Sequence, residues 1–162
     1  MGLDMSLIRK RYVKNWDHYS PEERTEVTLT VGGKPVPLGD VTYIEEQVGY
    51  WRKANAIHKF FVDIAIRQSQ GGMFQLMPER GDDCLPIDIG DEDLIELRDR
   101  CKAVLADHSK APELLPTQEG FFFGGIEYDE YYFTDLEDTL KIIEPLIGDE
   151  TPMSSLYYQA SW

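Results

Sequence analysis

The sequence predicts an α+β domain: a mixed or antiparallel sheet packed against about three main helices, in a single domain over residues 1–162. Three observations carry that expectation. Strand-like and helix-like segments alternate in the order strands, helix, strand, helix, strand, helix, strand. A glycine-turned hairpin near the front and aromatic segments at the end suit antiparallel pairing. No glycine-rich turn joins a strand to a helix in the dinucleotide pattern, which argues against a doubly wound parallel fold.

Each element has its own signal. Residues 3–13 read as a first strand, polar toward its end. Ser20-Pro21-Glu22-Glu23 predicts a single helical turn, with Ser20 as cap, Pro21 at the first position and Glu23 reaching back. In residues 25–38, Val27, Leu29 and Val31 alternate with Thr28 and Thr30, and Gly32-Gly33 supplies a hairpin turn. Pro35 and Pro37 cannot donate to a ladder, so the return strand is expected at an edge. A first long helix is expected from about residue 45 to 67. Trp51, Ala54, His58, Phe61 and Ala65 keep the helical step there, and Ile57 and Ile64 widen the stripe. Residues 69–82 read as a loop and 83–88 as a short strand. Asp91 opens a second helix with acids in its first turn, and Leu94, Leu97, Cys101, Val104 and Leu105 point inward. Residues 114–120 read as a loop, and Phe121 to Phe123 as a buried strand closed by Gly124-Gly125. Thr134 and Glu137 form the capping-box pattern of a third helix, with Leu136, Leu140, Ile143 and Ile147 inward. Pro152 breaks the chain, and residues 155–162 read as a last strand.

Charge is the most informative feature of the composition. The net charge is −14, and it is unevenly placed. Residues 1–80 hold 11 basic against 10 acidic side chains, whereas residues 81–150 hold 5 against 20. Such a field repels nucleic acid and membrane phosphates and attracts a basic protein surface; it also serves plain solubility. No apolar run is long enough to span a membrane and no secretory leader is visible, so a cytoplasmic location is expected. Cys84 and Cys101 form no CxxC pair, which suits two free thiols in a reducing compartment. Neither they nor His58 and His108 have a partner at metal-ligand spacing, so no metal site and no cofactor are expected. No GxSxG elbow and no phosphate-binding glycine loop is present.

Two stretches carry candidate chemistry. In residues 50–61, read as helix, Trp51, Asn55 and His58 share a stripe and Arg52 lies on its flank. His58 and Asn55 suit either a pocket floor or a hydrogen-bonded scaffold, while the planar fork of Arg52 suits a phosphate or carboxylate or a local acid. Trp51, Ile57 and Phe61 are expected to be structural. In residues 124–135, Glu127, Asp129 and Glu130 stand beside Tyr128, Tyr131, Tyr132 and Phe133. This pattern suits core Tyr132 and Phe133 with solvated acids, an acidic and aromatic interface, or carboxylates that bind a divalent cation or act as acid and base.

Several motifs together are distinctive: GLDM at 2–5, GYWRKANAIHKFFV at 49–62, DDC at 82–84, LLPTQEGFFFGG at 114–125, YDEYYF at 128–133 and YYQASW at 157–162. Over nearly the whole chain they resemble an uncharacterised family of small proteins found in phage genomes and prophages. Such proteins more often carry an aromatic where Ser6 stands, and the 68–81 loop here is longer than usual. The resemblance implies a setting, an accessory protein of phage–host conflict in a bacterial cytoplasm, and assigns no catalytic residue.

Two functional readings follow. In the first, the acidic half docks on a basic, nucleic-acid-binding host protein as a nucleic-acid mimic and inhibitor, through Asp82, Asp83, Asp91, Glu92, Asp93, Glu96, Glu127, Asp129, Glu130 and Tyr131. In the second, Trp51, Arg52, Asn55, His58, Tyr128 and Gln159 line a small-molecule or nucleotide site, with His58 and Asp129 as catalytic candidates.

Overall fold

The computed structural model describes residues 2–70 and 86–162. The expected loop at 69–82, the start of the strand expected at 83–88, Asp82, Asp83 and Cys84 lie wholly or largely outside the described residues. The elements are β1 (Asp4–Tyr12), a 3-10 turn (Pro21–Glu23), β2 (Leu29–Val31), β3 (Lys34–Val36), β4 (Tyr43–Arg52) and α1 (Asn55–Gln70). Then come β5 (Ile87–Ile89), α2 (Asp91–Ala106), a 3-10 turn leading into the short α3 (Ala111–Leu114), α4 (Glu130–Ile143), and β6 (Ser154–Ser161). The architecture is α+β. The main sheet has the order β4-β1-β6-β5, and every pairing in it is antiparallel.

Register decides which face of the sheet is buried. Met5 stands between Trp51 and Ala160, and Leu7 between Gly49 and Tyr158. Ile87 and Ile89 on β5 extend the same face. All are buried, and Tyr158 stacks on Phe61 of α1 with ring centroids 4.2 Å apart. The opposite face, with Gln47, Tyr50 and Gln159, is exposed. The helices therefore cover one face. Helix α2 contributes Leu94, Leu97, Cys101 and Val104, and α4 contributes Leu136 and Ile143. Leu140 packs half-buried against this cluster. Cys101 is a free thiol pushed up to about 12 by burial. No helix among the described residues is long and apolar enough to cross a membrane.

Three expectations need correction. The helix expected from about 45 begins only at Asn55, and residues 43–52 are strand β4. Tyr43, Ile44, Val48, Tyr50 and Trp51 favour a pleated strand, and all of β1 is available to pair with them. The helical period running through Trp51, Ala54 and His58 is a coincidence of two elements whose ends face one core. The β4–β1 ladder slips by one residue between Leu7 and Ile8, where β4 holds one residue more than β1. The bulge kinks an edge strand that would otherwise invite further pairing.

Phe121 to Phe123 are not a strand. They form a turn closed by the Phe123 N–H donating to Gly120 O at 3.1 Å. Only Phe123 is buried; Phe121 is 95% exposed. The last main helix starts at Glu130, not at Thr134, because the Asp129 carboxylate accepts from the Tyr132 N–H at 3.1 Å and caps it there. Thr134 lies inside the first turns, its hydroxyl donating to Glu130 O.

The front hairpin forms as expected. Gly32 and Gly33, at φ 57° and 78°, make the left-handed turn that lets β2 and β3 keep their twist. It stands apart from the main sheet as a two-stranded ribbon with Leu29, Val31 and Val36 exposed. The turn at Ser20 is present too, with Glu23 accepting from the Ser20 N–H at 2.9 Å.

Candidate functional site

The junction between β4 and α1 builds one wall of a cleft. Lys53 carries the chain from strand to helix with φ 61°, a left-handed conformation uncommon outside glycine, and its N–H donates to Leu3 O at 2.8 Å. Asn55, the first residue of α1, then ties down the 118–125 loop. Its Nδ2 donates to Phe123 O at 3.2 Å and Gly125 O at 2.7 Å, and its Oδ1 accepts from the Gln118 N–H at 3.1 Å. The Leu3 N–H holds the same loop through Phe122 O. Gly124 has φ 88°, and a Cβ there would lie 3.3 Å from that of Lys53. The glycine thus serves both the turn and the close approach of the two segments.

The second wall is the start of α4. Once Asp129 caps the helix, Tyr131, Tyr132 and Asp135 fall on neighbouring positions of its first turns. The Tyr132 hydroxyl donates to Leu115 O at 2.8 Å and anchors the helix. Between the walls lies a cleft of about 360 Å³, lined by Arg52, Lys53, Asn55, Thr117, Gly124, Gly125, Glu127, Asp129, Tyr131 and Asp135, among others.

Its electrostatics are unusual in what does not pair. Arg52 stands 4.0 Å from Asp4, a carboxylate that also accepts from the Tyr50 hydroxyl. Lys53, Glu127, Asp129 and Asp135 make no salt bridge among the described residues. Burial, with Asp138 and Asp129 nearby, pushes the Asp135 carboxyl up to about 6. Among the described residues the lining includes no serine, cysteine or histidine; its polar groups are those of Arg52, Lys53, Asn55, Thr117, Tyr131 and the carboxylates.

The sequence candidates divide. Arg52, Asn55, Glu127, Asp129 and Tyr131 share the cleft; Trp51, His58, Tyr128 and Gln159 do not line it. Trp51 is core, its indole N–H donating to Thr139 Oγ1 at 2.9 Å. Gln159 lies on the open face of the sheet, opposite Ser6. Tyr128 packs edge-on against Tyr132. His58 is 2% exposed, shares a 2.7 Å hydrogen bond with the Tyr158 hydroxyl, and sits among the rings of Phe123 and Trp162. Burial lowers its pKa to about 4, so it is neutral and scaffold-like at pH 7. The three tryptophans go to three places: Trp51 to the core, Trp162 against His58, and Trp16 to the surface, stacked on His18 with Lys14 over it. Lys53, Thr117, Gly124, Gly125 and Asp135 are additions to the sequence reading. The spacing Tyr131 to Asp135, one helical turn, would have pointed to Asp135 had the cap been placed at Asp129.

The acids expected on α2 are largely spoken for. Asp91 accepts from the Gly148 N–H at 3.1 Å and Asp93 from the Gly90 N–H at 3.0 Å. Glu96 pairs with both Arg67 at 3.0 Å and Arg100 at 2.6 Å, and Asp99 pairs with Arg98. Glu92 keeps no such partner among the described residues. Comparison with protein-family models, with curated proteins and with solved structures finds no match to the chain.

Proposed function

We propose that the protein acts by binding a basic protein partner, and that the working surface is the 121–131 segment beside the cleft. One observation carries this reading. Within that short segment Phe121, Ile126, Tyr128 and Tyr131 are all exposed, alongside Glu127, Asp129 and Glu130, none of which forms a salt bridge among the described residues. Large exposed aromatics clustered with unneutralised charge suit a hot spot with a charged rim. The field of a chain carrying −14 speeds the approach of a cationic surface and disfavours nucleic acid itself. A basic, nucleic-acid-binding host protein is the partner class that fits, and inhibition by occupying its groove is the corresponding activity. The setting is the phage–host conflict that the sequence resemblance implies. The centre of the surface moves away from the start of α2, whose carboxylates are mostly engaged within the fold.

The test is capture of partners from bacterial lysate by the intact protein and by a Phe121→Ser, Tyr131→Ser double variant. Both side chains are exposed, so the variant is expected to fold. The intact protein should retain a basic partner at low salt and release it at high salt, and the variant should not retain it. An unchanged set of captured proteins would refute this surface.

A further inference from the structure

The cleft itself supports a reading that goes beyond partner docking and does not depend on it. One wall, the β4–α1 turn, carries Arg52 and Lys53. The other carries Glu127, Asp129 and Asp135. Charges of both signs line this one small cleft, yet among the described residues neither cation pairs with any of these three carboxylates; Arg52 stands 4.0 Å from Asp4 instead. The backbones that carry them are held in place: the three hydrogen bonds of Asn55 tie the β4–α1 turn to the 118–125 loop, and the Asp129 cap and the Tyr132 anchor hold the start of α4.

We propose that this cleft binds a small zwitterion, a free amino acid or short peptide, whose carboxylate meets Arg52 and Lys53 and whose ammonium group meets the carboxylates opposite. Separated charges of both signs suit a ligand that carries both. The field of the whole molecule points to the same class. A net charge of −14 opposes a free nucleotide or phosphate, whereas a ligand of zero net charge enters without that long-range cost. Size agrees as well. About 360 Å³ is near the lower end of ligand pockets, which run from about 300 to 1,000 Å³. The exposed ring of Tyr131 offers a face for the ligand's side chain.

The experiment is a binding titration of the intact protein with the standard L-amino acids and glycylglycine, read by chemical-shift changes and calorimetry. At least one probe is expected to bind with a Kd below about 1 mM. Acetylating its amine or amidating its carboxylate should each weaken binding at least about tenfold. In Arg52→Ala the penalty for amidating the probe should shrink, and in Glu127→Gln the penalty for acetylating it should shrink. Absence of binding by every probe up to about 10 mM overturns the proposal. So does equal affinity for blocked and free probes, a comparison that needs no variant. Phe121→Ser separates the two readings: it should weaken partner capture and leave zwitterion affinity unchanged.

Discussion

At the start of α2, Asp91 accepts from the Gly148 N–H, Asp93 accepts from the Gly90 N–H, and Glu96 holds two arginines. At the start of α4, Asp129 caps its helix, while Glu127 and Asp135 face a cleft with Arg52 and Lys53 across it and make no ion pair among the described residues. Both regions are acidic helix starts in the same acidic half of the chain. In the first, most of the carboxylates have partners within the fold. In the second, two of the three are free to act on something else. A carboxylate's partners, and not its place in a charge run, decide its role.

The largest expected effect tests whether the cleft is held open as described. Asn55→Ala removes three hydrogen bonds and strips partners from Phe123 O, Gly125 O and the Gln118 N–H. Urea unfolding should show a loss of about 2–3 kcal/mol. A loss near zero would mean that the wall does not depend on this side chain, and the contrast between a rigid cleft and an ordinary surface would fail.

The next effect comes from pH and sets the core against the cleft. The folded pKa of His58, about 4, lies below its ordinary 6.5, so the unfolded chain binds the extra proton. Its share of stability is present above about pH 6.5 and is lost as pH falls toward 4. By pH 5 this amounts to about 2 kcal/mol. Asp135 has the opposite sign. Its folded pKa, about 6, lies above 3.8, so folding is penalised as pH rises through that window and relieved as pH falls. The two trends offset each other. Asp135→Asn should therefore steepen the loss of stability between pH 7 and pH 5, and His58→Gln should flatten or reverse it. Parallel pH profiles in all three proteins would show that neither group is perturbed by its surroundings.

Much of the fold was legible because its periodicity belongs to single elements. Leu94, Leu97, Cys101 and Val104 lie on one helix, and their spacing located α2 from Asp91 onward. The Gly32-Gly33 turn and both terminal strands were equally local signals. The β4–α1 boundary was not, because Trp51 and His58 keep a helical step although one is on a strand and the other on a helix. Only the pairing of β4 with β1 resolves that ambiguity, and pairing is a long-range fact. The cleft was partly legible for the same reason. Arg52, Asp129 and Tyr131 stood out by chemistry. The left-handed Lys53, the anchoring by Asn55 and the raised Asp135 depend on segments some 70 residues apart meeting in space.

A smaller effect returns to α2. Asp93→Ala removes the bond that caps this helix, and Glu96→Ala removes two guanidinium partners. Each should cost about 1 kcal/mol in unfolding experiments and leave partner capture unchanged. If these variants kept their stability and lost the partner, the division between the two acidic runs would be reversed.

The smallest stability effect should be that of Glu127→Gln, and it is the sharpest discriminator. Glu127 lines the cleft, precedes the α4 cap, and makes no salt bridge among the described residues. The substitution keeps size and hydrogen-bonding shape and removes only charge. Since the folded state draws no ion pair from that charge, the unfolding free energy should move by less than about 0.5 kcal/mol. Function should respond out of proportion. Removing one of three carboxylates that face an incoming cation should weaken its binding by about tenfold and reduce the salt dependence of the encounter. A side chain that contributes so little to folding and so much to binding is one whose charge is held for a ligand. If Glu127→Gln leaves both stability and binding unchanged, the acids of the α4 start are a solvated face like any other, and the cleft loses its anionic wall.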